Sequence, residues 1–340
     1  MHPSVFTLID ADGHPVDEAA LPPRETLVEL YRRMVIGRRL DAQATALTKQ
    51  GRLAVYPSSR GQDACEIGAT LALRERDWLF PTYRDTVAVV TRGVDPVEAL
   101  TLLRGSWHCG YDPYEHRVAP QCTPLATNTL HAVGFARGAA TKGEDTVALV
   151  LLGDGATSEG DTHEALNFAA VWKAPVVFVV QNNGYAISVP ISKQTAAPSL
   201  AHKAAGYGLP GRLIDGNDAA AVYTTVRAAV DAAADGAGPT LIEARTYRIE
   251  AHTNADDASR YRDDAEVAQW LARDPLMRLE TYLRATGNLP DFTDEAERFA
   301  ADVRTRMNAD PLLSPGELFE HVYAVPTPDL QRQRAEVLAR

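Results

Sequence analysis

Cysteine is scarce in this chain of 340 residues: Cys65, Cys109 and Cys122 are the whole complement. An odd number without zinc-type spacing argues against a disulfide framework or a structural zinc site, and predicts reduced thiols in a reducing compartment. Basic charge is in deficit too. Lys and Arg number 34 against 45 Asp and Glu, a formal net charge of −11, which argues against a general nucleic-acid or anionic-membrane surface. No apolar run approaches the roughly 20 residues that a bilayer span needs, and the opening MHPSVFTLIDADGHP lacks a basic region followed by an apolar one. Repeats and low-complexity linkers are also missing. The expectation is a soluble, cytoplasmic protein that binds neither nucleic acid nor membrane.

What is present is ordinary globular material, 45% apolar and 23% charged, enough for a full core and a small second unit. After an N-terminal arm, PRETLVELYRRMVIGRRLDAQATALTKQG reads as a long helix with Pro23 near its start and Gly51 as its stop. GQDACEIGATLALRE carries a second helical spacing. From Asp77 onward short apolar strands alternate with helices: 146–152, 174–180, 211–215 and 239–247. Such alternation predicts parallel strands joined by helical crossovers, an α/β fold of three layers. RIEAHTNADDASRYRDDAE interrupts it with no apolar period and reads as a long surface loop. Helical candidates follow to the end: DPLMRLETYLRATG, DEAERFAADVRTRMNA and PDLQRQRAEVLAR. The division expected is an N-terminal arm and long helix over 1–60, an α/β domain over 61–262 and a helical region over 263–340.

The chemistry concentrates in TVALVLLGDGATSEGDTHEALNFAAVWKAPVVFVVQNNGYAIS, a buried-type strand, a tight turn, a helix and a second buried-type strand. In a βαβ unit the carboxyl ends of both strands share one edge of the sheet, so Asp154 is expected near Asn182 and Asn183. Glycines at a strand end before a helix suit a diphosphate, yet a bare aspartate there repels one. At 4 Å two like charges cost about 4 kcal/mol even at an effective dielectric of 20, so a cation is needed between them. Mg²⁺ meets that need with oxygen ligands, which Asp154, Asn183 and the Tyr185 carbonyl can supply. Two other readings stand beside this one. A nicotinamide or flavin fingerprint would want a third glycine where Ser158 lies, and Asp and Asn also favour turns without any ligand.

The same residues, GDG followed by the Asn pair, resemble the thiamine-diphosphate-binding motif. With YPSSRGQDACEIG, FPTYRD, TPLAT and TYRIEAHTNADDASRYR, the chain resembles the α subunit of the decarboxylating component of the 2-oxoacid dehydrogenase complexes, from about residue 25 to about residue 285. It is closer to the branched-chain and pyruvate members than to transketolase. The resemblance implies that Asp154, Asn183 and the Tyr185 carbonyl hold Mg²⁺, with Gly155 and Ala156 beside the diphosphate of thiamine diphosphate. It implies that Tyr83 and Arg84 contact the diphosphate and line the active site; the fixed fork of Arg84 suits phosphate oxygens. Thr123 and Leu125 fall where the family binds the cofactor, the leucine as an apolar wedge under its bent form. Arg248 corresponds to a diphosphate-side arginine and His252 to an active-site histidine, with Asp256, Asp257, Tyr261 and Arg262 ordering their loop. Each of these also has a plainer use, as core, ion pair or solvated charge.

Departures from the family pattern are visible. Gln181 stands where some branched-chain enzymes place a diphosphate-binding arginine, the segment around Trp107 and His108 is short, and Cys122 and Asn128 replace residues that bind a structural potassium ion in some members. Thr253 stands where certain eukaryotic relatives have a phosphorylated serine. The resemblance further implies a β subunit that supplies the pyrimidine-binding half and its glutamate in an α/β heterotetramer, and a lipoyl-bearing acyltransferase or carrier domain as acyl acceptor. The implied activity is oxidative decarboxylation of a 2-oxoacid, branched-chain or pyruvate. Rival readings are an acetoin- or ketose-cleaving relative that transfers a two-carbon unit to lipoyl, a non-catalytic assembly subunit, and a nicotinamide-dependent dehydrogenase.

Overall fold

Near-continuous apolar runs in strands of an alternating chain call for burial on both faces of a sheet, and the computed structural model, which describes residues 4–310, 314–320 and 322–339, has that arrangement. The strands in chain order are β1 (Trp78–Phe80), β2 (Ala148–Gly153), β3 (Val176–Asn182), β4 (Tyr185–Ala186), β5 (Val189–Pro190), β6 (Gly211–Asp215) and β7 (Thr240–Arg245). Five of them form one parallel sheet in the order β1-β2-β3-β7-β6, and β4 and β5 form a small antiparallel hairpin beyond its edge.

Alternate strand residues feed two separate cores. Leu149, Leu151, Val177 and Val179 pack with Val222, Val226 and Val230 of the helix Ala219–Ala234. On the opposite face Val150, Leu152, Phe178 and Val180 meet the helices Thr127–Thr141 and Gly160–Trp172 through Ala132, Ala136, Ala165 and Leu166. Helices therefore cover both faces, giving the three layers expected of an α/β fold.

Strands β2 and β3 begin and end one or two residues later than the expected 146–152 and 174–180. The ladder continues through polar residues, pairing Gly153 with Gln181 and Asn182 with Arg245. Backbone pairing is indifferent to side-chain polarity, so hydropathy alone stops short. The three-residue β1 is too brief to show any period and was not among the expected strands.

The long helix runs from Arg24 to Lys49, entered from Pro23 and left through Gly51 at φ +71°. Its first half packs Leu27, Leu30 and Met34 against Leu279, Tyr282 and Leu283 of the helix Pro275–Thr286. Its second half packs Leu40, Ala44 and Leu47 against Val303 and Met307 of the helix Thr293–Met307. The second expected helix spans Asp63–Leu71, and the last runs from Pro328 to Leu338.

The stretch 248–266 departs from a simple surface loop. Arg248 and Ile249 are buried, a short turn forms at Ala258–Arg260, and a helix begins at Asp264. Ile249 and Tyr261 pack with Tyr185 and Tyr247 in a small apolar cluster, and hydrogen bonds fasten the rest. Arg262 donates to the carbonyls of Arg248, Glu250 and Ile249.

Candidate functional site

The parallel register sets the site. With Gly153 opposite Gln181, Asp154 follows the end of β2, and Asn182 closes β3 with Asn183 next. Asp154 is only 1% exposed and opens a tight turn, its carbonyl accepting from the Thr157 amide and hydroxyl. Its carboxylate accepts from Gln194 Nε2 at 2.6 Å. Burial pushes that carboxyl up, against smaller downward effects of Gln194, Arg248 and the Asn183 backbone. Gly155 has to be glycine: a Cβ there would lie 2.7 Å from the Cβ of Ala186 in β4. The turn and the hairpin thus touch.

Asn183 is buried and donates from Nδ2 to Gln62 Oε1 at 3.1 Å, while its Oδ1 accepts only a long bond from the Tyr185 amide at 3.3 Å. The Tyr185 carbonyl accepts from Arg248 Nη1, also at 3.3 Å. Carboxylate, amide oxygen and carbonyl are each the type of oxygen donor that a hard cation prefers. The hairpin carries strain as well. Ile187, β-branched, sits at φ +55°, a conformation that costs about 1–3 kcal/mol, and its carbonyl is held by Arg248 Nη2 at 2.6 Å.

Gln181 does not reach toward a ligand. Its Nε2 donates to Asp85 Oδ1 at 2.6 Å and its Oε1 accepts from Gln62 Nε2 at 2.9 Å. The side chain that replaces an arginine in the family pattern thus belongs to a buried amide network beneath Asn183. Glu66 closes that network from below, accepting from Gln62, Ser59 and the Ala88 amide. Burial, then the neighbouring Asp85, hold its carboxyl well above the usual carboxylate range. Sequence reasoning missed Gln62, Glu66 and Gln194. The first two fall inside the phrase YPSSRGQDACEIG, Gln62 just before the helix Asp63–Leu71 and Glu66 on it, and the phrase carries no role for either.

Tyr83 and Arg84 are brought together with His252, which lies 168 residues beyond Arg84 in the chain. Arg84, buried, donates from Nη1 to the Ser58 carbonyl at 3.0 Å and from Nη2 to both Nδ1 and the carbonyl of His252 at 3.1 Å. An arginine can only donate, so His252 Nδ1 is an acceptor and the ring proton resides on Nε2. Burial and the adjacent Arg84 and Arg248 lower the His252 pKa to about 4. The Tyr83 ring stands edge-on to this imidazole at 6.2 Å and carries the Arg84 guanidinium at 5.8 Å. Arg248 Nη2 also donates to Tyr261, whose hydroxyl is bonded to Asp256; Asp256 in turn accepts from the His252 amide. Asp257 caps the following turn through Ser259. The charged run is therefore a fastened scaffold around Arg248 and His252.

Thr123 and Leu125 lie on an exposed segment whose start is tied to the same region, since the Tyr83 amide donates to the Cys122 carbonyl at 3.0 Å. Leu125 is 41% exposed, unusual for a leucine serving only as core. Asn128 is committed to structure, donating to the carbonyls of Phe80 and Leu151 between β1 and β2. Cys122 turns its thiol to the Pro124 carbonyl, and His108 is exposed beside Trp107.

The residues present fit a bound diphosphate and cation. Among the described residues, Arg248 Nε and Gln194 Oε1 are buried without a hydrogen-bond partner, a donor and an acceptor such as buried sites normally satisfy.

The chain is also similar to known proteins. A family model described as dehydrogenase E1 component matches residues 31–309. The chain is 47% identical over 340 aligned positions to the 3-methyl-2-oxobutanoate dehydrogenase subunit alpha of Mycobacterium tuberculosis (strain H37Rv), covering 98% of this chain and 93% of that one. It is 41% identical over 303 positions to the pyruvate dehydrogenase E1 component subunit alpha of Staphylococcus aureus (strain Mu50), covering 87% and 82%.

Proposed function

Because this chain belongs to the dehydrogenase E1 component family, we propose that it is the α subunit of a thiamine-diphosphate-dependent 2-oxoacid dehydrogenase. The reaction is oxidative decarboxylation of a 2-oxoacid with transfer of the acyl group to a lipoyl disulfide. A branched-chain 2-oxoacid is favoured as donor, since the relative named for 3-methyl-2-oxobutanoate shares more identity over more of the chain than the one named for pyruvate. The observation that carries the reading is the placement of Asp154 and Asn183 at the ends of neighbouring parallel strands, beside a glycine turn.

Thiamine diphosphate, when bound, supplies the nucleophilic carbon and the electron sink. The residues of this chain bind and orient it. Asp154, Asn183 and the Tyr185 carbonyl would hold Mg²⁺; Gly155 and Ala156 would border the diphosphate; Arg84, Arg248, Tyr83 and Thr123 would contact the cofactor. The exposed Leu125 would support its bent form. His252, neutral with its proton on Nε2, would donate to negative charge that develops on the reacting oxygen.

The name of the family member as a subunit implies a β partner. The glutamate that thiamine chemistry needs would come from that chain, in an α/β heterotetramer, with a lipoyl-bearing acyltransferase as acceptor. Apolar side chains suited to such contacts are exposed: Phe168, Val171 and Trp172 on the helix Gly160–Trp172, and Tyr323 and Val325 near the carboxyl end. Co-expression with a β-type chain and a screen of 2-oxoacids, acetoin and ketose phosphates with a dye acceptor tests the assignment. Branched-chain 2-oxoacids are the donors expected to turn over. In the same complex Asp154→Ala should weaken thiamine diphosphate in Mg²⁺ buffer by at least about 100-fold, the upper end of what an outer-shell change costs. Unchanged affinity would remove the cation anchor.

A further inference from the structure

Gln194 lies outside the motif, in the turn that follows the β4–β5 hairpin, and touches the site at two points. Its Nε2 donates to Asp154 Oδ2 at 2.6 Å and to the Val189 carbonyl at 2.9 Å. Both acceptors are oxygens, so the amide can face them only through nitrogen, and the opposite orientation would set oxygen against oxygen. That leaves Gln194 Oε1 pointing elsewhere. It is buried and, among the described residues, has no hydrogen-bond partner. The contact to Val189 also matters, because β5 pairs with β4, which carries the Tyr185 carbonyl and the Ala186 methyl against Gly155. One side chain therefore ties the carboxylate at the end of β2 to the hairpin beyond β3.

From this geometry we propose that Gln194 is a positioning residue of the cation site: its amide nitrogen fixes Asp154 and the hairpin in mutual register, and its buried oxygen accepts a hydrogen bond from a donor that arrives with the ion. A water carried by hydrated Mg²⁺ has the required chemistry, since this ion sheds its hydration shell reluctantly and keeps several waters in protein sites. The inference rests on the reading of Asp154 as a cation ligand. Partners that orient a ligating carboxylate set metal affinity by about 10–100-fold, an effect separable from fold stability.

The test is Mn²⁺ binding to the α/β complex, followed by the electron paramagnetic signal of free Mn²⁺ at saturating thiamine diphosphate. Gln194→Met keeps the volume and loses both polar contacts; its Mn²⁺ dissociation constant should rise about tenfold or more. Gln194→Glu puts a second carboxylate beside Asp154, and without cofactor it should bind Mn²⁺ more tightly than the parent. The Glu variant keeps the question answerable should the Met variant fail to assemble. Parental Mn²⁺ affinity in either variant overturns the proposal. Asp154→Ala separates the two levels. If it too binds Mn²⁺ normally, the cation site itself is misplaced; if it loses binding while the Gln194 variants do not, only the role of Gln194 falls.

Discussion

At the scale of single residues, His252 shows how neighbours decide a side chain's chemistry. An exposed histidine titrates near pH 6.5, but here burial, Arg84 and Arg248 hold the ring neutral down to about pH 4. Its contribution to pH-dependent stability has a definite sign. The unfolded chain takes up a proton as pH falls through 6.5 and the folded one does not, so stability present above that value is lost progressively toward pH 4. His252→Gln should shrink this loss, read as the difference in melting temperature between pH 7 and pH 4.5. The same variant should lower kcat by about 100-fold, the lower end of what a positioned proton donor contributes. Between pH 5.5 and 8 the parental rate should show no inflection from this imidazole. Much of this was legible in sequence only as a type and a place: Arg84 and His252 were each singled out, but a bond between residues so far apart in the chain leaves no trace in either neighbourhood. Gln181 shows the converse. Its position beside the asparagines suggested a missing ligand contact, whereas its amide is spent on Asp85 and Gln62.

At the scale of elements, the glycine turn and the hairpin act as one piece. Gly155→Ala places a methyl 2.7 Å from that of Ala186, and overpacking of this kind costs about 1–3 kcal/mol. The expected result is a lower melting temperature together with weaker cofactor binding, both largely restored in the double variant Gly155→Ala, Ala186→Gly. Failure of the second change to rescue the first would mean that the contact is not what limits the turn. The strands β2 and β3 could be read in advance because burial on both faces leaves a continuous apolar run. The hairpin could not, as two-residue strands with a positive-φ isoleucine have no period to detect. The helix Asp264–Leu271 falls within the helical region expected over 263–340, but its first turn, Asp264–Glu266, reads as the end of the charged loop because Asp, Ala and Glu there show no apolar period.

At the scale of the whole molecule, one parallel sheet carries the candidate site at one edge, and the long N-terminal helix packs against helices from later in the chain. Purified alone, the chain should show negligible 2-oxoacid decarboxylation, and addition of the β-type chain should restore it. Full turnover by the single polypeptide would defeat the assignment. The fold at large was foreseeable from alternating patterns, and the family from its phrases. The amide network under Asn183 was not, since it depends on which faces three distant segments turn to one another.

The pairing of Gly153 with Gln181 carries a constraint on how such chains can vary in length. Adding one residue inside either strand would move its end by about 3.3 Å and reverse which way every later side chain points, parting the acid from the amide it must meet. Length changes in the connections at the opposite rim, 142–147 and 173–175, leave that pairing intact, whereas one inside β2 or β3 breaks it.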